Sequence, residues 1–284
     1  MKKWTIPFLL IAVMGATHWL TGDASAKHDT SEQPKAIEAI KADSVPTVDS
    51  AHAKMSSADS AYWKKYLMGK FLPKNDTNFI LIPSKYSSKA DAYMRKEAYY
   101  DFVQMHAAAA KDGIVLTIVS ATRNFDAQKG IWEGKWARER YKGLPDTSKS
   151  RDILLFSSMP GTSRHHWGTD IDMNSVSPEF FKSGQGKKIY DWLHLNAPRF
   201  GFYQTYTNKS SGRTGYEEEA WHWTYLPLSQ GLLNQYIELI RYSDFQGFKG
   251  SQTAEQLDLI RYYVQGIPDS LRTLKTKTPG KRGS

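Results

Sequence analysis

The chain has 284 residues, no cysteine, eight histidines and a formal net charge of +9, and 40% of its residues are hydrophobic. This composition is typical of a globular protein and excludes a mostly disordered chain or a bundle of membrane spans. The missing cysteine excludes disulfides, cysteine nucleophiles, iron–sulfur clusters, zinc fingers and a lipoprotein anchor, so any bound metal must be held by His, Asp or Glu.

More than half of the net charge lies at the C-terminal end of the chain. Residues 1–26 contribute +1 and residues 271–284 contribute +5, which leaves about +3 for the rest. We interpret 271–284 as a disordered basic tail that makes weak, salt-screened contact with acidic envelope polymers. The tail lacks the interleaved aromatic residues of a single-strand binder, so we expect no nucleic-acid partner.

The N-terminus has the pattern of a secretory signal peptide. Lys2 and Lys3 precede an uncharged apolar stretch, which ends before the small-x-small sequence Ala24-Ser25-Ala26. We predict a signal peptide over 1–26 and a location in the periplasm or cell envelope. The alternative is an uncleaved N-terminal membrane anchor. The proline, glycine and histidine inside the stretch make a membrane-spanning helix less favourable.

Aromatic content separates a linker from a folded domain. Residues 27–61 contain no aromatic residue and offer too little apolar surface to fold, so they predict a flexible linker. From Tyr62 onward, hydrophobic runs and turns follow one another without a second linker, which predicts one domain over 62–270.

Hydrophobic periodicity predicts alternating helices and strands in this domain. In chain order, the predicted elements are a helix over Ala90–Asp112, a strand over Ile114–Ser120, a helix over Asp126–Tyr141, a strand over Asp170–Met173, a helix over Gly186–Ala197, a strand over Trp221–Tyr225 and a helix over Gln230–Tyr242. A few strands separated by helices indicate the α+β class.

Five histidines lie in the predicted domain and are candidates for metal binding. His106 and His194 occur singly within predicted helices, where a histidine is more often a core or surface residue than a ligand. His165, His166 and His222 occur in two dense segments, SRHHWGTDID over 163–172 and EEEAWHW over 217–223. Each segment alone is also compatible with an aromatic core patch whose histidines bond to the backbone.

Together, the two segments contain the groups that zinc catalysis needs. A catalytic zinc site uses three imidazole or carboxylate ligands, an open position for water and a nearby base that is not bound to the metal. The patterns S-x-H-x-x-G-x-x-x-D and E-x-W-H, with S-x-x-R-x-x-x-x-Q upstream at Ser120, Arg123 and Gln128, resemble the VanY-type D-alanyl-D-alanine carboxypeptidases. The resemblance extends from about Tyr62 to Tyr242.

The resemblance implies a fold and a metal site. That family shares its zinc site and core fold with lysostaphin-type peptidases and the Hedgehog signalling domain, which implies a small, mostly antiparallel central sheet flanked by helices. It also implies that His165, Asp172 and His222 hold one zinc ion. Glu219 would be the unligated general base, which takes a proton from the attacking water and passes it to the leaving amine.

The resemblance further assigns residues to the substrate. Arg123 matches the arginine that stabilises the oxyanion or binds the substrate carboxylate. Gln128 and Ser163 match positions that help to hold the terminal carboxylate, and Gly168 allows a close turn between ligands. The implied substrates are peptidoglycan stem peptides, from which the enzyme would remove the terminal D-alanine.

Several points stay open at this level. Asp170 stands where the family usually has a small residue, and it is either an orienting partner of a ligand histidine, an acid that shifts substrate preference, or a solvated residue. Only one of the adjacent residues His165 and His166 can readily face the metal, and the resemblance to the family implies that it is His165. The spacing from Glu219 to His222 would put them on opposite faces of a regular strand, so we expect a bend or bulge there.

Other functions are compatible with the same motifs. An L,D-carboxypeptidase or an endopeptidase acting on peptidoglycan peptides would use the same zinc chemistry on a different bond. A non-catalytic wall-binding module would keep the metal without turnover. The glutamate at the E-x-W-H position favours the enzyme.

Overall fold

The computed structural model describes residues 56–275, so the predicted signal peptide, most of the predicted linker and the end of the basic tail lie outside the described residues. The described part is α+β, as predicted. Its helices are α1 (Ser57–Leu67), α2 (Lys96–Lys111), α3 (Phe125–Trp136), α4 (Asp146–Ile153), α5 (Gly184–Asn196), α6 (Leu226–Leu239), α7 (Thr253–Gln256) and α8 (Asp269–Thr273). Its strands are β1 (Phe79–Leu81), β2 (Tyr93–Arg95), β3 (Ile118–Ser120), β4 (Asp170–Met173), β5 (Phe202–Gln204) and β6 (His222–Tyr225).

The central sheet has four strands in the order β3-β4-β6-β5, and every neighbouring pair is antiparallel. β1 and β2 form a separate antiparallel pair. The predicted small antiparallel sheet flanked by helices is therefore confirmed. Among residues 56–275, no helix combines the length and apolar character needed to cross a bilayer.

Strand β4 divides its side chains between an apolar core and a polar face. Ile171 and Met173 are fully buried in an apolar cluster that also contains Phe102 of α2 and Ile189 of α5. Side chains alternate along a strand, so Asp170 and Asp172 project from the opposite face. Each large apolar side chain buried here contributes about 1.5–3 kcal/mol, which fixes the register of the strand and with it the direction of the carboxylates.

A second apolar cluster ties α1 to the segment just before β4. Trp167 belongs to this cluster with residues of α1, α3 and α6. Its indole N–H donates to the carbonyl of Leu67 at 3.1 Å, and the Tyr66 hydroxyl donates to the carbonyl of Trp167 at 3.1 Å. The end of α1 therefore holds the short 3-10 helix Arg164–Trp167, which contains His165.

Described helices extend slightly beyond residues 62 and 270, the two predicted boundaries of the domain. α1 begins at Ser57, inside the stretch predicted as linker, because Ser56 caps the helix by accepting the N–H of Asp59 at 3.1 Å. At the other end, α8 continues past residue 270 because Leu271 is buried in the second cluster.

The predicted elements exist, with several different bounds. The first part of the predicted helix Ala90–Asp112 is strand β2, which pairs with β1, and the helix begins only at Lys96. Within the predicted strand Ile114–Ser120, only Ile118–Ser120 pairs with β4. β4 itself has the predicted bounds.

Three helices also differ at their ends. α3 stops at Trp136, and a separate 3-10 turn covers Glu139–Tyr141. α5 begins two residues before the predicted Gly186. α6 begins at Leu226, because a proline suits the first turn of a helix, and it ends at Leu239.

Candidate metal centre and active site

Sheet register brings two of the predicted ligands together. Asp172 of β4 lies directly opposite His222 of β6 in the antiparallel ladder, and opposite residues on one face of a ladder are near neighbours. Gly168, with a φ of 74°, ends the short helix that carries His165 and turns the chain into β4. The three side chains are buried, and their candidate ligand atoms all lie within 4.8 Å of one another.

The spacing of the ligand atoms suits a tetrahedral metal ion. Oδ1 of Asp172 lies 3.3 Å from Nε2 of His165 and 3.2 Å from Nδ1 of His222. A tetrahedral zinc site with ligand distances of about 2.0–2.1 Å separates neighbouring ligand atoms by about 3.3 Å. Nε2 of His165 and Oδ1 of Asp172 are also buried without a hydrogen-bond partner. Such atoms are costly unless something binds them, so this cluster could hold a metal.

Each ligand histidine is oriented through its other ring nitrogen. Nδ1 of His165 donates to the carbonyl of Ala121 at 2.9 Å, and Nε2 of His222 donates to Oδ2 of Asp170 at 2.9 Å. These hydrogen bonds direct the remaining nitrogen of each ring toward Asp172. Metal-binding histidines are commonly fixed in this way, and the hydrogen bond also makes the ligand nitrogen more basic.

The structure answers the open question about Asp170. Besides His222, its carboxylate accepts hydrogen bonds from Nε of Arg164 at 3.0 Å and from the hydroxyls of Thr169 and Thr224 at 2.8 and 2.7 Å. Burial disfavours the charged form, but Arg164 and His222 outweigh it and hold the pKa of Asp170 well below its usual value. The hydrogen bonds of Asp170 therefore fix the orientation of His222, one of the three candidate ligands.

Glu219 reaches the same site through a tight turn. The N–H of His222 donates to the carbonyl of Glu219 at 3.2 Å, and this turn is the predicted bend. It places Oε2 of Glu219 at 3.3 Å from Nδ1 of His222, where a regular strand would separate the two side chains. Burial raises the pKa of Glu219, although the hydrogen bond with His222 opposes the shift. A carboxylate with a raised pKa beside a metal site is suited to accept and return a proton.

The acidic groups around His222 favour its protonation. Burial alone lowers the pKa of this imidazole, but hydrogen bonds with Asp170, Asp172 and Glu219 outweigh burial and raise the pKa well above its usual value. Burial lowers the pKa of His165, and Arg123 adds to that effect. A metal ion bound here would take the place of a proton shared among these groups.

The cluster lies in an open pocket of about 400 Å³. Arg123, Gln128, Lys135 and Glu219 are among its polar lining residues, and apolar side chains complete the lining. The lining residues are Arg123, Gln128, Ile131, Lys135, Phe156, Ser157, Ser158, His165, Asp172, Val176, Pro178, Tyr206, Tyr216, Glu219, Trp221 and His222. The three candidate ligands are therefore exposed to the space of this pocket.

Not every residue assigned by resemblance lies in this pocket. Gln128 lines it, donates to the carbonyl of Ser158 at 2.8 Å, and leaves its own Oε1 buried without a partner. Ser163 is buried, has an unpartnered hydroxyl and is not among the described lining residues. The structure therefore places Arg123 and Gln128 in the pocket but does not place Ser163 there, and the assignment of all three residues to the substrate remains a prediction.

His166 points away from the metal ligands. Its Nδ1 donates to the carbonyl of Arg123 at 2.6 Å, and its Nε2 accepts the N–H of Gly161 at 3.0 Å. The preferred register, with His165 in the cluster, is the one observed. His106 packs edge-on against Tyr86, and His194 packs against Trp223, so neither joins the cluster.

Sequence reasoning missed several lining residues. Lys135 follows Gln128 by seven positions on α3, and that spacing is the one signal that could have identified it. Ser157, Tyr206 and Tyr216 reach the pocket from loops and have no comparable motif.

Comparison with known proteins agrees with this geometry. Residues 91–228 match the family model for VanY, D-alanyl-D-alanine carboxypeptidase. This segment is similar to that family over about half of the chain. It contains Arg123, Gln128, the three ligands and Glu219, so the resemblance predicted from the motifs is confirmed.

Two relatives carry the same description. A D-alanyl-D-alanine carboxypeptidase of Enterococcus faecalis is 30% identical over 42% of this chain and 43% of its own length. A D-alanyl-D-alanine carboxypeptidase of Enterococcus faecium is 26% identical over 55% of this chain and 46% of its own length. The chain thus spans less than half the length of these relatives. Among solved structures, VanYB in complex with D-Alanine-D-Alanine is 22% identical, with a TM-score of 0.44, and the match covers 68% of this chain and 93% of that chain.

Proposed function

We propose that the protein is a zinc-dependent carboxypeptidase that hydrolyses the C-terminal D-alanine peptide bond of peptidoglycan stem peptides. The observation that carries this proposal is the buried Glu219 carboxylate, 3.3 Å from a nitrogen of the His165, Asp172 and His222 cluster in an open pocket. The family match and the two relatives named D-alanyl-D-alanine carboxypeptidases support the choice of bond.

The donor set supports one zinc ion. Two imidazoles and one carboxylate, with pocket space beside them, correspond to a catalytic zinc site with three protein ligands and an open position. When bound, zinc supplies Lewis-acid chemistry, since it acidifies water and polarises a carbonyl. Asp170 and the carbonyl of Ala121 keep the two imidazoles in the tautomers that this site requires.

Glu219 is assigned the proton transfers. Its buried carboxylate has a raised pKa, so it accepts a proton from the attacking water more readily than an exposed glutamate does. The same oxygen can then deliver that proton to the departing amine. No acyl-enzyme forms in this scheme, because water and not a side chain attacks the peptide.

Arg123 is assigned to the negative charge that develops on the scissile carbonyl oxygen. Its guanidinium lines the pocket, and its Nε is buried without a hydrogen-bond partner. A fixed, unpartnered donor near the reacting atoms stabilises an oxyanion without reorganisation. Gln128 also lines the pocket, and its unpartnered Oε1 can accept a hydrogen bond from an N–H group of the peptide.

The place of action is part of the proposal. The signal-peptide pattern of residues 1–26 supports export to the periplasm or cell envelope, where peptidoglycan peptides occur. A membrane anchor would give the same exposure to substrate.

The test is hydrolysis by the purified protein. Zinc content is measured, and tripeptide, tetrapeptide and pentapeptide muropeptides are followed by mass spectrometry. We expect release of D-alanine from the pentapeptide. Glu219→Gln should keep zinc and lose about 100- to 10,000-fold in rate. Glu217→Gln is the control, because Glu217 pairs with Lys209 and is not among the lining residues.

Other products of hydrolysis would indicate a different function. Release from the tetrapeptide alone would indicate an L,D-carboxypeptidase, and internal cleavage would indicate an endopeptidase. Bound zinc without any release would refute the carboxypeptidase and favour a wall-binding module.

A further inference from the structure

Lys135 is a cation that faces the pocket without a carboxylate partner. Gln128, Ile131 and Lys135 lie three and four positions apart on α3, a spacing that puts them on one helix face, and all three line the pocket. The Lys135 ammonium donates a hydrogen bond to the hydroxyl of Ser157, a neutral group that also lines the pocket. Among the described residues, no carboxylate forms an ion pair with Lys135.

The electrostatic surroundings leave this ammonium under-compensated. Burial lowers the pKa of Lys135, and the nearby Arg138 lowers it further, while Glu219 is the acidic group that opposes them. Arg123 adds a second positive charge to the same pocket. A half-buried cation with no opposite charge in contact is destabilising by itself, so its energy improves when an anion enters the pocket.

The substrate of the proposed reaction carries such an anion. A carboxypeptidase substrate has a full negative charge on its last residue, one residue beyond the bond that breaks. The resemblance assigned part of that carboxylate's binding to Ser163, yet the Ser163 hydroxyl does not line the pocket. Lys135 and Ser157 together offer an ammonium and a hydroxyl there, a pair that suits the two oxygens of a carboxylate.

We propose that Lys135, with the Ser157 hydroxyl, binds the free C-terminal carboxylate of the substrate and so restricts the enzyme to the chain end. This inference rests on the proposed function and names the side chains that would make the enzyme specific for an unmodified terminus. Arg123 is then free to act on the scissile carbonyl oxygen. An amidated or extended terminus would leave Lys135 without its counter-charge.

The experiment compares two peptides that differ only at the terminus. Diacetyl-L-lysyl-D-alanyl-D-alanine and its C-terminal amide are tested with wild type, Lys135→Gln and Lys135→Arg. Lys129→Gln is the matched control, because Lys129 lies on the same helix outside the pocket lining. For the free acid, Lys135→Gln should lower kcat/KM by about 10- to 100-fold, mainly through KM, and Lys135→Arg should recover part of the loss. For the amide, Lys135→Gln should change little.

A binding measurement separates this inference from the proposed function. Calorimetry on zinc-loaded Glu219→Gln, with and without Lys135→Gln, should show that Lys135 favours the acid over the amide even without turnover. Hydrolysis of neither peptide by wild type would refute the proposed function, and the calorimetry would still decide the role of Lys135. Equal losses for acid and amide, no loss for either, or no binding preference for the acid would overturn the inference.

Discussion

Asp170 shows how a single residue can serve both the fold and the metal centre. Its carboxylate is the counter-charge of the buried Arg164 and the acceptor that orients His222. Arg164 and His222 are nearly inaccessible to solvent, so water cannot replace Asp170 as their hydrogen-bond partner. The cost of replacing this residue should therefore appear in folding and in metal affinity.

We predict that Asp170→Asn weakens zinc binding by about 10- to 100-fold, because a neutral amide holds and polarises the His222 ring less strongly. The free energy of unfolding of the metal-free protein should also fall by about 3–5 kcal/mol, because Arg164 remains buried without a counter-charge. Chelator competition and urea unfolding measure the two effects. Asp191→Asn, which removes an exposed pair with Lys187, should change neither. Unchanged zinc affinity in Asp170→Asn would contradict the orienting role.

Because His166 is buried, we predict that the folded protein loses stability in acid. Burial, which outweighs its hydrogen bond to the Arg123 carbonyl, lowers the pKa of His166 from 6.5 to about 3. Between these values the unfolded chain binds a proton that the folded chain does not, so falling pH favours unfolding by up to about 1.4 kcal/mol per pH unit. In the metal-free protein, His166→Gln should reduce the pH slope of unfolding free energy between pH 4 and 6. His106→Gln, at a partly exposed site, should reduce it much less. An unchanged slope in His166→Gln would show that this imidazole titrates normally.

At the scale of elements, the turn from the short 3-10 helix into β4 sets the geometry of the site. Gly168 occupies the left-handed region of backbone conformation, and a Cβ at this position would lie 2.3 Å from a ring carbon of Phe79. Ligands on both sides of the turn depend on it, since His165 precedes it and Asp172 follows it. Glycine is required there for its backbone conformation and for the close approach of the ring.

Two glycine substitutions should therefore have opposite effects. Gly168→Ala should destabilise the protein by more than about 1 kcal/mol and reduce zinc affinity, because the turn and Phe79 must both shift. Gly134→Ala should stabilise it by about 0.5–1 kcal/mol, because Gly134 lies within α3 with open space around its Cβ position. Thermal unfolding and zinc titration compare the two variants. Equal stability of Gly168→Ala and wild type would show that the turn adapts.

The elements that could be predicted were those with a strong local pattern. β4 has the predicted bounds because Asp-Ile-Asp-Met alternates polar and apolar side chains and pairs on both sides. Strand β2 was wrongly predicted as part of a helix. Tyr93–Arg95 is a strand because it pairs with β1, which lies twelve or more residues earlier in the chain, and hydrophobic periodicity does not report such a contact. Helix α1 begins after the cap at Ser56, and its end is held by a hydrogen bond from Trp167, a residue 100 positions away in the chain.

For the site, spaced motifs predicted a cluster of His165, Asp172 and His222 with Glu219 beside it, and the structure brings these four side chains together. The substrate side was less accessible to sequence reasoning. Ser157 and Tyr206 reach the pocket from loops far apart in the chain, and only the folded structure brings them to the metal ligands. The role of Asp170 could not be predicted from the sequence either, because its partners Arg164 and Thr224 lie on different segments of the chain.

At the scale of the whole molecule, the candidate metal centre lies where separate parts of the domain meet. His165 belongs to a segment fixed by α1, whereas Asp172 and His222 belong to neighbouring strands of the sheet. A metal that binds all three should therefore stabilise the arrangement of these parts. Because an unfolded chain does not hold the three ligands together, metal affinity contributes directly to folding stability.

We predict that zinc at 100 times its dissociation constant stabilises the protein by about 2.7 kcal/mol. For a domain of this size, that corresponds to a rise in Tm of about 5–10 °C. Differential scanning calorimetry with zinc and with excess chelator measures the shift. Asp172→Asn should lose most of it, whereas Asp191→Asn should keep it. A zinc-independent Tm in wild type would argue against a three-ligand site.

The two-residue spacing of Asp170 and Asp172 on β4 also makes the metal centre a check on strand alignment during folding. A shift of β4 by one residue would point Ile171 and Met173 at the histidines and both carboxylates into the apolar core. Misaligned chains would therefore lack the ligand set, and zinc would select the correctly aligned population. Refolding in the presence of zinc should accordingly raise the yield of correctly paired protein, a benefit that a chain without Asp172 would not share.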